Sequence, residues 1–457
     1  MPRSASLSAS LSASLSTSLS ECLSERLSER LSERLSERLS ERLAFDGLGQ
    51  GGTAFVLHPS LSACTIDRVA VGAEHVLALS SRGQIWSWGS NRFGQLGHGT
   101  RGEPATQPSV VLGALAGRRV LDVSAGAFHS LAAVERGFHS RAAAVHSGRS
   151  QRPFTATVHS GSSASSVFSW GFGGDSALGH GREEDEFRPR AVLHSSEGEL
   201  LMGVRTVAAG WRHSLALTRQ GILWAWGHGD SGQLGVQGVV EAMAPVRIAS
   251  FDAATGTTVW KGSCPNMEGQ SHVPSMEASQ LRLIAAGDQY SVAVDAHGRV
   301  WQWGCILGAG RESFPTACPR RMHLPLPVED AHVEDAHDDA LRPPGTTPRV
   351  RSIAAGAGHV IALTWDGHVY TWGQGRSGSL GHGDERDLRA PALVSMHDRL
   401  QGITSISAGA NHSLAMRASL DGSGEPVMWA WGHTAALGAP WYEGTNVPEV
   451  LFQMKKH

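Results

Sequence analysis

The sequence feature that most constrains the fold is a two-part pattern that recurs six times after residue 66. The first part is an apolar run followed by Ala-Gly, two variable residues and usually His. The second part, after a short alternating stretch, is an aromatic residue, any residue, and Trp-Gly. In four copies 16 residues separate the first Gly from the Trp, and successive first glycines lie 54, 84, 77, 69 and 53 residues apart. A fixed internal spacing in otherwise different sequence indicates one repeated supersecondary unit with insertions between copies.

Each part of the pattern carries one residue type that we expect to be structural. The first part ends in His in five copies, and these histidines are spread evenly over the units instead of forming one catalytic cluster. We therefore predict that each one hydrogen-bonds backbone groups of its own unit. The second part places Trp before Gly in all six copies. The histidines are His75, His129, His213, His359 and His412, and the tryptophans are Trp88, Trp170, Trp226, Trp303, Trp372 and Trp431.

The spacer between the two parts alternates in character with a period of two, as in residues 291–294 and 300–303, and predicts two short β-strands. A Gly such as Gly83 ends the connection between them and supplies the positive φ of a bulged hairpin. Because aromatics at i and i+2 point to one face, each unit presents two rings that a lone hairpin cannot bury. Sheets stacked around an axis do bury them, which predicts an all-β propeller.

After Trp-Gly, four units continue into a glycine-rich turn that ends in Leu-Gly, as in residues 94–99 and 378–383. Together with Ala-Gly-x-x-His and Trp-Gly, this turn resembles the signature of the RCC1 (regulator of chromosome condensation) repeat family. The units end in Trp-Gly instead of Trp-Asp, and no paired glycines open them, so other propeller families fit less well. The resemblance covers residues 66–457 and implies an RCC1-type β-propeller, which in this family usually has seven blades.

The domain organisation follows from these units. Six units are clear, so we expect six or seven blades, and we slightly favour seven with one blade split between the two termini. Residues 44–65 contain a glycine-rich stretch typical of the end of a unit and are predicted to be a partial blade or a linker. Inserts are expected near 135–166, 252–280 and 328–349 of the 66–457 propeller. The first holds four Arg and one Glu among many Ser and His and is predicted to be a mobile loop, and the second is polar and irregular.

Residues 1–43 form a low-complexity tail with Leu at every fourth position from Leu7 to Leu43, in a repeated Leu-Ser-Glu-Arg unit. A period of four drifts by about 40° per step around a helix, so the leucines form no continuous seam. The tail is therefore predicted to be disordered or a fraying helix, with an oligomerising helix as the alternative.

The overall composition excludes several classes of protein. The net charge of −3 gives no basic face for nucleic acid. The five cysteines are widely spaced without Cys-x-x-Cys, which argues against a disulfide framework or zinc site and favours a reducing compartment. With no apolar run of membrane-spanning length, we expect a cytoplasmic or nuclear protein, and an organelle transit peptide is the alternative.

The sequence contains no phosphate-binding loop, zinc-protease motif or serine-nucleophile elbow, so we predict no catalytic site and no cofactor. One stretch raises the question of a metal: Val-Glu-Asp-Ala-His occurs twice in residues 328–337 and brings His332 and His337 near several acids. Their spacing of five does not place them on one helical face. We expect a solvated acidic loop and no metal site.

The family resemblance implies that the propeller faces bind other proteins. We predict an interaction scaffold, with a guanine-nucleotide exchange factor for a small GTPase of the Ran type as the first alternative. Family exchange faces use acidic and His residues of the Ala-Gly-x-x-His loops, which points to Asp288. A tryptophan-based UV-B photoreceptor is the second alternative, because plant relatives of that kind carry several Gly-Trp-Arg-His motifs and this chain has one, with Trp211 and Arg212. These three residues are the candidate partner-binding positions.

Overall fold

The computed structural model describes residue 61 and residues 64–135, 165–261, 278–307, 316–326, 348–394, 402–417, 427–433 and 445–453. Within them, 25 strands form six antiparallel sheets, and almost all of these residues belong to one compact unit. The helical elements are three short 3₁₀ turns, at Gly113–Leu115, Gly174–Ser176 and Arg376–Gly378. The prediction of an all-β propeller is confirmed, with six blades among the described residues.

The first three blades follow one another along the chain. The first has strands β1 (Ile66–Val71), β2 (His75–Ser80), β3 (Ile85–Asn91) and β4 (Gly102–Val110). The second has β5 (Val120–Ala125), β6 (His129–Glu135), β7 (Ser165–Gly171) and β8 (Glu186–Val192). The third has β9 (Val204–Ala209), β10 (His213–Thr218), β11 (Leu223–His228), β12 (Glu241–Asp252) and β13 (Thr257–Trp260).

The last three blades have four strands each. The fourth has β14 (Leu281–Ala286), β15 (Tyr290–Asp295), β16 (Val300–Gly304) and β17 (Thr316–Met322). The fifth has β18 (Val350–Ala355), β19 (His359–Thr364), β20 (Val369–Gly373) and β21 (Leu388–Leu393). The sixth has β22 (Ser405–Ala408), β23 (His412–Arg417), β24 (Val427–Gly432) and β25 (Thr445–Gln453).

Every blade is an antiparallel meander in chain order, and the first strands of consecutive blades contact each other around the axis. The hydrophobic core lies between blades. One cluster, for example, joins Leu131 of the second blade, Trp224 and Trp226 of the third, and Trp301 of the fourth. The predicted hairpin glycines that lie within the described residues have the expected positive φ, 78° at Gly83, 83° at Gly221, 81° at Gly298 and 84° at Gly367.

Two expectations need correction. The slight preference for a seventh blade completed by the C-terminus is wrong, because β25 pairs with β24 inside the sixth sheet, and the described residues contain six sheets. The insert near 252–280 is not wholly irregular, because β13 pairs with β12 as a fifth strand. Most of the insert near 135–166 lies outside the described residues, but Glu135 and Ser165 on either side of it pair directly.

The cysteines also differ from expectation. Cys318 is disulfide-bonded, and its partner lies outside the described residues. Cys64 and Cys305 are free, and the wide spacing that argued against a disulfide framework did not predict the bridge at Cys318. None of the helices in the described part of the chain has the length and apolar character of a membrane span.

Candidate interaction face

The Ala-Gly-x-x-His loops connect the first and second strands of each blade and bring neighbouring blades together. A Cβ added to Gly126 would lie 2.6 Å from the carbonyl oxygen of Gly210 in the next blade, so only Gly permits this approach. Backbone bonds run from blade to blade at the same place. The Trp211 N–H donates to Gly287 O at 3.3 Å, and the Asp288 N–H donates to Ala357 O at 3.0 Å. The variable loop residues are therefore held at fixed positions on one side of the propeller.

The loop histidine makes its hydrogen bond across the blade interface. His75 Nε2 lies 2.8 Å from Ser130 Oγ of the second blade, and His213 Nε2 lies 2.9 Å from Ser291 Oγ of the fourth. The same contact joins His129 to Ser214 and His359 to Ser413. For these four histidines the predicted backbone partner within the same unit is therefore wrong, because the partner is the serine that follows the loop His or Tyr of the next blade.

The tautomer of these histidines follows from the serine. The Ser130 hydroxyl donates to the carbonyl oxygen of Gln95 at 2.8 Å, so its oxygen must accept the proton on His75 Nε2. The structure gives the buried Nδ1 of His75 and His213 no hydrogen-bond partner. Burial lowers the pKa of His75 and His213 to about 3 and that of His129 and His359 to about 4, so the rings are neutral at pH 7.

Three of the repeat tryptophans donate to the glycine-rich turn of the preceding blade. Trp170 Nε1 donates to Gln95 O at 2.8 Å, Trp226 to Ala177 O at 2.9 Å and Trp303 to Gln233 O at 2.8 Å. Trp372 instead donates to the side chain of Gln302 at 2.6 Å. Five of the six repeat tryptophans, Trp170, Trp226, Trp303, Trp372 and Trp431, are fully buried, whereas Trp88 of the first blade is half-buried.

The fourth blade is the exception to the histidine rule. Tyr290 takes the histidine position, and its hydroxyl donates to Gly356 O at 2.9 Å and His359 O at 2.6 Å in the fifth blade. The fifth blade correspondingly has Val360 where the second, third, fourth and sixth blades have serine. Tyr290 and Val360 together replace the His and Ser of the other described interfaces, so the Tyr290 hydroxyl at this interface still has hydrogen-bond partners.

Trp211 belongs to a cluster of four half-buried rings on the loop side of blades one to three, here called the aromatic cluster. Trp211 meets Phe128 edge-to-face at 5.7 Å between centroids, Phe128 meets Phe93 at 5.3 Å, and Phe93 meets Phe172 at 4.9 Å. The sequence analysis missed the three phenylalanines. Phe128 occupies a variable loop position and Phe172 follows Trp-Gly, so the only available signal was that both lie beside conserved elements of the repeat pattern.

Charged side chains border the aromatic cluster. Arg212 is exposed, and its Nη1 lies 3.5 Å from Asp175 Oδ2. His228 lies between two acids, with Nδ1 3.8 Å from Asp175 Oδ1 and Nε2 3.1 Å from Asp230 Oδ2. Burial by itself would raise the pKa of Asp230, but His228 beside it lowers the pKa overall. The border thus presents both signs of charge.

Asp288 sits in the loop next to Trp211, since the Trp211 N–H bonds to Gly287. Burial raises the pKa of Asp288 to about 6, and the described contacts provide no cation to offset this. The structure therefore brings all three predicted residues, Trp211, Arg212 and Asp288, onto neighbouring loops of one side. The stretch with His332 and His337 lies outside the described residues, and within those residues no group of three or more His, Cys, Asp or Glu is arranged to hold a metal ion.

Six meander sheets joined by one repeated interface define a repeat-built β-propeller. Two profiles of the Regulator of chromosome condensation (RCC1) repeat match this chain, one at residues 82–133, 165–217, 220–263 and 366–416, the other at 66–95, 204–233 and 350–379. The chain belongs to the RCC1 repeat family.

Similar proteins have several different roles. The human E3 ubiquitin-protein ligase HERC2 is 31% identical over 388 residues, which are 81% of this chain but 6% of that protein. The Ultraviolet-B receptor UVR8 of Arabidopsis thaliana is 27% identical over 382 residues, 81% of this chain and 66% of the receptor. Among solved structures, human WBSCR16 has a TM-score of 0.58 at 22% identity, covering 85% of this chain and 83% of its own. Yeast RCC1 (Prp20) has a TM-score of 0.57 at 21% identity, covering 85% and 75%.

Proposed function

We propose that this protein is an interaction scaffold that binds another protein through the Ala-Gly-x-x-His loop side of its propeller. The aromatic cluster is the observation that supports this. Half-buried Trp and Phe rings, bordered by an exposed Arg and by acids, have the composition of binding hot spots. Each ring is already positioned by a neighbouring ring, so binding would require little ordering of side chains.

The proposal predicts that binding depends on Trp211 and not on exposed tryptophan in general. The matched control is Trp365, which is 67% exposed in the hairpin between β19 and β20. We expect Trp211→Ala to weaken capture of partner proteins by roughly tenfold or more, as hot-spot truncations typically do. Trp365→Ala should leave capture unchanged. Quantitative affinity purification of the full chain and both variants checks this, and equal capture by all three would exclude the aromatic cluster as the binding site.

A second candidate is nucleotide exchange on a small GTPase. Two observations support it: the fold is that of yeast RCC1 (Prp20), a relative described with binding properties toward Gsp1p, and Asp288 is an acid held in a loop of the same side. Exchange requires only that the protein stabilise the nucleotide-free GTPase, which is differential binding.

The exchange hypothesis is tested by release of fluorescent nucleotide from purified GTPases, Ran included. Acceleration by the full chain that is lost in Asp288→Ala would establish this role, with Asp366→Ala, in the hairpin beside Trp365, as the control. No acceleration with any GTPase would remove it. We do not propose photoreception, because the ring that Trp211 contacts in the described residues is Phe128 and not a second Trp.

A further inference from the structure

A repeated irregularity in the innermost strands gives three blades an arginine at the same place. The pairing of β9 with β10 shifts register between Val204 and Thr206, so Arg205 is the extra residue of a β-bulge. The first strands β14 and β18 shift at the same position, at Arg282 and Arg351. A bulge re-aims the side chain of its extra residue. The third, fourth and fifth blades, which follow one another around the axis, therefore each present an arginine from a bulge.

These three residues, Arg205, Arg282 and Arg351, are here called the bulge arginines, and they lie on the side of the propeller opposite the Ala-Gly-x-x-His loops. Each is the second residue of its strand, whereas the loops follow the end of the same strands. Extended strand of roughly 13 Å separates the two positions, at about 3.3 Å per residue. A ligand of the bulge arginines would therefore use none of the residues of the aromatic cluster, and its binding is tested separately from the scaffold role proposed above.

Backbone carbonyls of the next blade hold two of the bulge arginines in place. Arg205 Nη2 donates to the carbonyl oxygen of Leu281 at 3.3 Å and to that of Arg282. Arg351 Nη2 donates to the carbonyl oxygen of Ile403 at 2.7 Å. A guanidinium has five N–H donors, so these contacts orient the group and leave other donors available. The structure also gives the buried Nε of Arg205 and of Arg351 no hydrogen-bond partner.

The positive charge of the bulge arginines has little compensation in the part of the chain that the structure describes. There, none of the three forms an ion pair, and a carbonyl contact orients a guanidinium without neutralising it. Burial lowers the pKa of Arg205, and the like charge of Arg282 lowers it further. Asp122 offsets part of this effect, but its two oxygens already bond to Arg68 and Thr206. Arg282 is exposed, so this concentration of charge can be reached from solvent.

We propose that the bulge arginines bind a small anion that carries several phosphate groups. Three guanidinium groups on consecutive inner strands suit a compact ligand with several negative groups, and the planar fork of arginine donors matches phosphate oxygens in pairs. Arg205 and Arg351 are oriented before the ligand arrives, which reduces the cost of ordering them. The bound anion joins the third, fourth and fifth blades.

Inositol hexakisphosphate, a compact ring with a phosphate on every carbon, is the probe. Isothermal titration calorimetry of the full chain should show one bound molecule per chain. Arg282→Gln should weaken binding about tenfold or more, because it removes a charged donor to phosphate. Arg82→Gln, at an exposed arginine in the β2–β3 hairpin of the same side, is the matched control and should bind like the wild type. Both variants should keep the melting temperature of the wild type, because both side chains are exposed.

Two further samples identify what the arginines bind. Residues 328–339 contain six acids and precede β18 in the sequence, and a variant that lacks them should bind the probe at least as tightly as the full chain. Sedimentation with vesicles that contain phosphatidylinositol bisphosphate, if it depends on Arg282, would identify a lipid headgroup as the source of the phosphates, whereas binding of the soluble probe alone would identify a free ligand. The proposal is overturned if the probe binds neither form of the chain, if it binds only the form without residues 328–339, or if Arg282→Gln and Arg82→Gln weaken binding equally.

Discussion

Acid should weaken this propeller at the interfaces between its blades. Burial lowers the pKa of four loop histidines, His75, His129, His213 and His359, to about 3 or about 4. In the unfolded chain a histidine titrates near 6.5. Between these values the unfolded chain binds up to four protons that the folded protein does not. Stability is therefore fully present above pH 6.5 and falls as the pH is lowered toward 4.

The expected magnitude is large. A pH of 5.5 is about one unit below the pKa of a histidine in the unfolded chain. Protonation of the unfolded chain therefore lowers the free energy of unfolding by about 1.4 kcal/mol per histidine and by roughly 5 kcal/mol for four. Typical domains have only about 5–15 kcal/mol of stability. The loop histidines resist protonation in the folded protein because of the surroundings of their buried Nδ1 atoms. Protonation would place a second N–H in a buried site where the structure gives Nδ1 of His75 and His213 no acceptor.

Urea unfolding at pH 7.5 and pH 5.5, followed by tryptophan fluorescence, measures the effect. His213→Gln removes one titrating ring, so the loss of unfolding free energy between the two pH values should be smaller by about 1.4 kcal/mol. His297→Gln, at an exposed surface position, is the control and should lose as much as the wild type. If the wild type and His213→Gln lose the same free energy, the buried-imidazole reasoning is refuted.

Three further outcomes follow from the interfaces. Tyr290→His and Val360→Ser should each destabilise, and the double variant should recover about 1 kcal/mol by restoring a His–Ser pair, which a double-mutant cycle in urea measures. Asp288→Asn should raise the melting temperature more at pH 7.5 than at pH 5, because a pKa raised to about 6 destabilises the fold only where the carboxyl is ionised. Gly126→Ala should lower the melting temperature, since its Cβ would lie 2.6 Å from Gly210 O, whereas Gly198→Ala, with open space around it, should lower it less.

The sequence was sufficient to predict the blades because their evidence is local. A period of two, a Gly such as Gly83 at each hairpin and the fixed distance from Gly to Trp88 describe contacts within one unit, and these contacts are present in the structure. The repeated Trp also implied burial against a neighbour, which is correct for Trp170 and its equivalents but not for Trp88. The pattern of the repeat does not indicate how deeply each copy of the Trp is buried.

The interfaces were less predictable because their partners are far apart in the chain. His75 and Ser130 are 55 residues apart, and nothing in the spacing of either residue indicates that they bond. The contacts of the aromatic cluster were equally hard to predict from the sequence, because Phe93 and Phe172 come from different blades. Trp211, Arg212 and Asp288 were found because their loop positions repeat, whereas the phenylalanines occupy positions that differ from unit to unit.

The interface between the fourth and fifth blades departs from the repeat on both of its sides, and this paired departure is a stronger guide to which blades are neighbours than the repeat itself. Tyr290 and Val360 depart from the consensus in consecutive blades, and each departure makes sense only beside the other, because a valine offers a histidine no acceptor while a tyrosine bonds the backbone instead.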